Sequence, residues 1–241
     1  MILDVLHIVG LTVFAGACIP LGGLLASVER ISPNWLEQEF RHFLIAFGGG
    51  ILLGAVVVVL VPQGQEAVGD SLLAIPAIVA GGILFFAVER VLGLRRREAP
   101  QLMGVMLDFV PEAAALGGLA VVSPGIATLL ALLIALQNLP EGFNAYRELC
   151  ERPGYTSRKT LIFMSALVLA GPLAGLLGYF FLSEHQFVLG IIMLVASGGI
   201  LYLIFQDIAP QGRLDRHWGP PLGAVFGFCL ALFSHDLVTH V

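Results

Sequence analysis

Apolar residues occur along the chain in eight long blocks that are separated by short polar segments. The blocks lie near 5–28, 42–62, 72–94, 102–123, 125–146, 160–182, 186–209 and 219–238. Each is close to the 20 or so apolar residues that an α-helix needs to cross a bilayer. The pattern therefore predicts an all-α membrane protein with eight transmembrane helices and a single domain over residues 1–241.

The composition agrees with this prediction. Of the 241 residues, 58% are hydrophobic and 12% are charged, and the mean hydropathy is +0.93, which is far more apolar than a soluble domain. The three cysteines have no paired spacing, so neither a disulfide framework nor a thiolate zinc site is indicated. The lipid bilayer is the expected surrounding, and no nucleic acid is expected as a partner.

The basic residues alternate between the connections. All 12 lie in or beside connections 1–2, 3–4, 5–6 and 7–8, and the termini and the other connections have none. They are Arg30, Arg41, Arg90, Arg95, Arg96, Arg97, Arg147, Arg152, Arg158, Lys159, Arg213 and Arg216. Because Lys and Arg accumulate on the cytoplasmic side, both termini are expected outside, in a multi-pass protein of the cytoplasmic (inner) membrane.

Two pairs of spans resemble each other. Span two reads GGILLGAVVVVLVPQG at 49–64, and span seven reads GGILYLIFQDIAPQG at 198–212, with a one-residue gap. Spans four and five share a weaker likeness, LDFVPEAAALG against LQNLPEGFNAY. The members of each pair run in opposite directions, which predicts an inverted repeat of spans 1–3 and 6–8 around spans 4–5, as in secondary transporters. Chance likeness of glycine-rich apolar helices is the alternative explanation.

Acidic and amide side chains lie at membrane depth. Asp108 and Glu112 share one face of span four, and Gln137 and Glu141 share one face of span five. Asn144 and Glu148 continue the second face, Asn138 lies beside it, and Asp207 lies in span seven. A buried acid costs about 2.5–3.5 kcal/mol on insertion scales, yet every basic residue lies in or beside a connection. The carboxylates must therefore be protonated or hold a cation from outside the chain, and divalent metals prefer such oxygen ligands.

With these residues the chain resembles the ZIP (Zrt/Irt-like) family of metal transporters over its whole length. The likeness lies in eight spans, both termini outside, and a Pro-Glu motif in each of spans four and five. Span four of that family typically reads His-Asn-x-Pro-Glu-Gly. Here Pro111 and Glu112 match, whereas Asp108, Phe109 and Ala113 stand at the His, Asn and Gly positions. The family's motif in span five is matched by Gln137, Asn138, Pro140, Glu141 and Gly142.

The resemblance implies a metal centre between spans four and five. Its main ligands would be Asp108, Glu112, Gln137 and Glu141, and a second position would be lined by Asn138, Glu112, Glu141 and Asp207. Phe109 removes one ligand from that second position. Asp108 in place of His leaves oxygen donors alone, which suit Mn²⁺ or Mg²⁺ better than a site with His does.

The expected function is transport of divalent metal cations toward the cytoplasm by a single transporter domain, without enzymatic activity or a resident cofactor. Zinc is the family's default, and Mn²⁺, Fe²⁺, Cd²⁺ and Mg²⁺ are further candidates. The resemblance also implies a homodimer; Gly219, Gly223 and Gly227 of span eight would permit close packing within the chain or between copies. Two alternatives stay open: a degenerate homologue that senses metal or acts as a scaffold, and an intramembrane enzyme, although the chain has no HExxH, GxSxG or paired GxGD motif.

Overall fold

The computed structural model describes residues 2–28, 34–69, 71–93, 100–212 and 218–239, and these are almost entirely helical. Within them, eight helices are long and apolar enough to cross a membrane. The uninterrupted ones are α1 (Ile2–Val28), α3 (Ser71–Gly93), α4 (Pro100–Val122), α5 (Pro124–Cys150) and α8 (Leu222–Thr239). Helix α2 comprises Asn34–Ala55, a π-helical turn at Val56–Leu60, and Val61–Val68. Helix α6 comprises Ser157–Leu167 and Ala170–Leu182, and α7 comprises Gln186–Leu203, a π-helical turn at Ile204–Ile208, and Ala209–Gln211.

Each predicted span corresponds to one of these helices, so the all-α membrane class is confirmed for the described residues. Two helices extend well past their apolar blocks. Helix α2 begins at Asn34 rather than at 42, and α5 ends at Cys150 rather than at 146. The backbone hydrogen bonds of a helix do not require apolar side chains, so a helix can continue into the polar residues beyond the hydrocarbon layer.

Half of the basic residues can be placed in the structure. Arg30, Arg95, Arg96, Arg97, Arg213 and Arg216 lie outside the described residues. Arg41 of α2 forms an ion pair with Glu151, directly after α5, at 3.5 Å between Nη1 and Oε1. The Arg147 guanidinium lies 5.3 Å from the centre of the Phe143 ring, near the same end of α5. The orientation of the termini stays a prediction.

Glycines bring pairs of helices into backbone contact. Helix α1 packs along α5, α4 along α6, α2 along α8, and α3 along α7. A Cβ on Gly142 of α5 would overlap the backbone of Ile19 in α1, and one on Gly117 of α4 would overlap the backbone of Gly175 in α6. Because only a hydrogen atom fits at such positions, the helices of each pair can approach closely.

The glycine stripe of α8 packs inside the chain. A Cβ on Gly223 or Gly227 would overlap the backbone carbonyl of Phe43 or Phe47, respectively, in α2. The contact between α2 and α8 thus accounts for these two glycines, as the intramolecular interpretation predicted. The homodimer stays a prediction.

Helices α2 and α7 share an irregularity that the hydrophobic pattern did not predict. In each, a five-residue π-helical turn ends two residues before a proline, Pro62 in α2 and Pro210 in α7. The backbone N–H of the residue before the proline donates to the carbonyl five residues earlier. Val61 donates to Val56 in α2, and Ala209 donates to Ile204 in α7. A proline has no N–H to continue the regular ladder, and π-helical turns are frequent at functional sites.

Helix α5 is the most enclosed of the eight apolar helices that the structure describes. In the most apolar 18-residue stretch of α5, 72% of the residues are buried, against 17% in α3. Helix α3 therefore lies at the lipid-facing periphery, while α5 is enclosed by its neighbours. Polar groups on α4 and α5 are consequently shielded from the hydrocarbon.

Candidate metal site

The polar side chains of α4 and α5 are buried between helices. The exposed fraction is 2% for Asp108, 0% for Glu112, 0% for Gln137 and 9% for Glu141. Pro111 and Pro140 lie inside the two helices without ending them. The carboxylates are therefore neither on the lipid-facing surface nor in open solvent.

A hydrogen bond links the two helices at this level. The Gln137 amide nitrogen, Nε2, donates to Glu112 Oε2 at 2.7 Å. The amide oxygen of Gln137 is buried without a donor, and so is Glu112 Oε1. One carboxylate oxygen and one amide oxygen from facing helices are thus left available to a cation.

Glu141 is more exceptional, because both of its carboxylate oxygens are buried without a hydrogen-bond donor. Like-charge repulsion acts between Glu141 and Glu112 and between Asp108 and both glutamates. Asp108 accepts one hydrogen bond, from the backbone N–H of Phe109 at 2.7 Å. Among the described residues, no Lys or Arg forms an ion pair with any of the three carboxylates.

A small cavity adjoins these acids. Four polar residues line it, contributed by α4, α5 and α7: Asp108, Glu141, Asn144 and Asp207. The apolar part of the wall is formed by Ile45, Gly104, Val105, Leu203 and Ile208. We call this space the inner cavity. Its volume is about 20 Å³, which is enough for about one water molecule or one ion without its hydration shell. Asp207 reaches it from the π-helical turn of α7.

The structure separates two residues of the predicted ligand set from the inner cavity. Glu112 and Gln137 do not line it and are bonded to each other instead. Within the part of the chain that is described, no group of three or more His, Cys, Asp and Glu side chains is arranged to hold a metal ion. The structure thus shows neighbouring carboxylates and amides rather than a closed coordination shell.

Asn138 occupies a different environment. Its amide nitrogen donates to the backbone carbonyl of Ala15 in α1 at 3.0 Å, and it does not line the inner cavity. Its amide oxygen is buried without a donor. Phe109, the neighbour of Asp108, is completely buried and packs toward Gly16 of α1 and Gly171 of α6.

Asn144 is the polar residue of the cavity that the predicted ligand set lacked. It is 1% exposed and lies three residues after Glu141, on the face that carries Gln137 and Glu141. That spacing was the available signal. The resemblance did not assign it as a ligand because it lies outside the Pro-Glu motif.

The chain is similar over nearly its whole length to a zinc transporter. It is 26% identical to the zinc transporter ZupT of Chlorobium luteolum, and the alignment covers 95% of the chain and 97% of that protein. This likeness over nearly the whole chain supports the resemblance to the ZIP family. No family model matches the chain. The likeness to this transporter supports a transporter rather than an enzyme, and the eight long apolar helices of the described residues support a multi-pass membrane protein.

Proposed function

We propose that this protein transports divalent metal cations across the membrane, toward the cytoplasm, through the buried polar residues of α4 and α5. The observation that carries the proposal is Glu141, a buried carboxylate with two unpartnered oxygens and, among the described residues, no basic partner. A carboxylate in this environment is stabilised when it binds a cation. An ion passing through would provide that compensation.

The proposed ligands supply oxygen atoms. Glu112, Glu141 and Asp108 provide carboxylates, and Gln137 provides an amide oxygen that has no other partner. Asp207 would receive the ion on its way out of the inner cavity, and Asn138 would serve a position nearer α1. Oxygen donors without nitrogen or sulfur suit Mn²⁺ and Mg²⁺ best. The named relative supports zinc as well, and Fe²⁺ and Cd²⁺ complete the ions to be tested.

The arrangement of the helices supports an inverted repeat. Exchanging α1 with α6, α2 with α7, α3 with α8 and α4 with α5 converts the close pair α1–α5 into α6–α4, and the close pair α2–α8 into α7–α3. The π-helical turns of α2 and α7 are related by the same exchange. We infer that the pairs α1–α5 and α4–α6 move against the other two pairs, which would expose the site to each side in turn.

Metal flux into proteoliposomes tests the proposal. Glu141→Gln removes the charge but keeps the size, and we expect it to abolish uptake of Mn²⁺ and Zn²⁺ because the ion loses a carboxylate ligand. Glu184→Gln is the matched control, since Glu184 is exposed in the turn between α6 and α7. Uptake that persists unchanged in Glu141→Gln would refute the role of this residue. Metal binding by the unaltered protein without any flux would favour the sensor alternative.

A further inference from the structure

Asn144 combines two properties that packing alone does not explain. It is 1% exposed, and its amide nitrogen donates to the backbone carbonyl of Pro140 at 2.9 Å. Its amide oxygen is buried and has no donor. A buried acceptor without a donor is unfavourable. An apolar side chain could fill this space without that cost.

The hydrogen bond to Pro140 fixes the orientation of the amide group. Because the nitrogen is held against the backbone of α5, the oxygen is the end of the group that is left free of protein partners. The residue lines the inner cavity together with Asp108, Glu141 and Asp207. The amide is thus oriented in advance as an acceptor, beside three acidic side chains.

The polar groups form two levels along the antiparallel helices α4 and α5. Glu112 and Gln137, joined by their hydrogen bond, form the first level. The inner cavity lies one turn further along, toward the start of α4 and the end of α5, and has its own set of oxygen donors. An ion at the second level would be in contact with Asn144, whereas neither Glu112 nor Gln137 lines that space.

We propose that the inner cavity is a separate cation position, in which the Asn144 amide oxygen is a neutral ligand beside the carboxylates of Asp108, Glu141 and Asp207. This inference rests on the proposed transport function and adds to it a residue and a step. A neutral oxygen increases the number of ligands without adding negative charge. It therefore binds the ion while still allowing release, which a conducting site requires.

Two substitutions at Asn144 test this position with opposite expectations. Asn144→Ala removes the oxygen, and we expect the Kd for Mn²⁺ to rise about tenfold, as is typical when a supporting group of a metal site is lost. Asn144→Asp adds a charge at nearly the same shape. We expect it to lower the Kd for Mn²⁺ and to slow the maximal flux, because the ion is then held more tightly.

Ser197→Ala is the matched control. Ser197 is completely buried, and its hydroxyl donates to the carbonyl four residues back, Met193, as the Asn144 amide does to Pro140. It does not line the inner cavity. Its substitution should leave the Kd and the flux unchanged, which separates an effect on the cation from the loss of a buried polar group.

Binding is measured by calorimetry with Mn²⁺ and Zn²⁺ on protein in lipid nanodiscs, and flux is measured in proteoliposomes. If the unaltered protein neither binds nor transports these ions, the proposed function itself fails. If it transports them and both Asn144 variants keep its Kd and flux, the inner position is refuted while the proposed function stands. Should Asn144→Ala fail to fold, Asn144→Asp decides alone: tighter binding with slower flux supports the position, and any other result overturns it.

Discussion

Neutralising Glu141 is expected to stabilise the metal-free protein while abolishing its response to metal. Both carboxylate oxygens of Glu141 are buried without donors, and the carboxylates of Glu112 and Asp108 repel it. A charged acid at the centre of a membrane helix costs about 2.5–3.5 kcal/mol. A proton can neutralise Glu141 when no metal is bound, so only part of this cost remains in the metal-free protein. Glu141→Gln removes that part without breaking any hydrogen bond, so the metal-free protein should be at least as stable, with a gain of up to about 2.5 kcal/mol in its free energy of unfolding.

A basic residue paired with Glu141 would reverse the sign of this change in stability. If a basic residue neutralised Glu141, removing the acid would leave an unpaired buried cation and would destabilise the protein by about 3–5 kcal/mol. Since 1 kcal/mol corresponds to about 2–4 °C in Tm for a chain of this size, loss of an ion pair would lower the Tm by about 6–20 °C, whereas the change predicted here does not lower it. The measurement therefore distinguishes a site that awaits a cation from a structural ion pair.

The assay is thermal unfolding of the purified protein in nanodiscs, first with a chelator and then with added Mn²⁺ or Zn²⁺. At 100 times the Kd, metal should stabilise the unaltered protein by about 2.7 kcal/mol, and this shift should vanish in Glu141→Gln. The exposed Glu184→Gln should change the metal-free stability by no more than about 0.5 kcal/mol. A fall in Tm of Glu141→Gln under chelator would contradict the absence of a counter-charge.

Three further predictions concern selectivity, pH and packing. Asp108→His adds a nitrogen donor beside the inner cavity, and competition binding should show the affinity for Zn²⁺ rising relative to that for Mn²⁺; an unchanged ratio would place Asp108 away from the ion. Metal flux should fall as the pH on the entry side is lowered, because protons compete with the metal for the same carboxylate oxygens, and raising the metal concentration should restore it; flux that is insensitive to pH would contradict direct carboxylate binding. Gly142→Ala should lower the metal-free Tm, since its Cβ overlaps the backbone of Ile19, at a cost of about 1–3 kcal/mol, whereas Gly125→Ala, with nothing within 4 Å of its Cβ, should not; equal Tm values would contradict the close contact of α1 with α5.

The eight helices could be predicted because a lipid environment requires long apolar runs, and these are visible in the sequence. Their ends were less predictable, since α2 and α5 continue as helices through polar residues. The π-helical turns of α2 and α7 escaped prediction as well. A π-helical turn is defined by which backbone N–H donates to which carbonyl, and the hydrophobic pattern carries no information about that. Pro62 and Pro210 were the available signals for the positions of the two turns.

The candidate site was predicted in outline from the cost of burying acids. The different surroundings of Asn138 and Asn144 could not be predicted in this way. Both asparagines are buried on α5, but the amide of Asn138 turns toward Ala15 of α1, whereas Asn144 lines the inner cavity. Helical spacing places residue 144 on the face of Glu141, whereas the family motif favours residue 138. The side-chain hydrogen bonds that distinguish them depend on neighbouring helices.

The π-helical turn at Ile204–Ile208 also limits how the length of α7 can vary. Such a turn holds one residue more than a regular one, and each residue of a regular helix rotates the chain by about 100°. Deleting the lipid-exposed Phe205 would allow α7 to become regular while both of its ends kept their present neighbours. The extra residue of the turn places Asp207 at the inner cavity. A shortened α7 should therefore still fold, but the Asp207 carboxylate should no longer line the cavity.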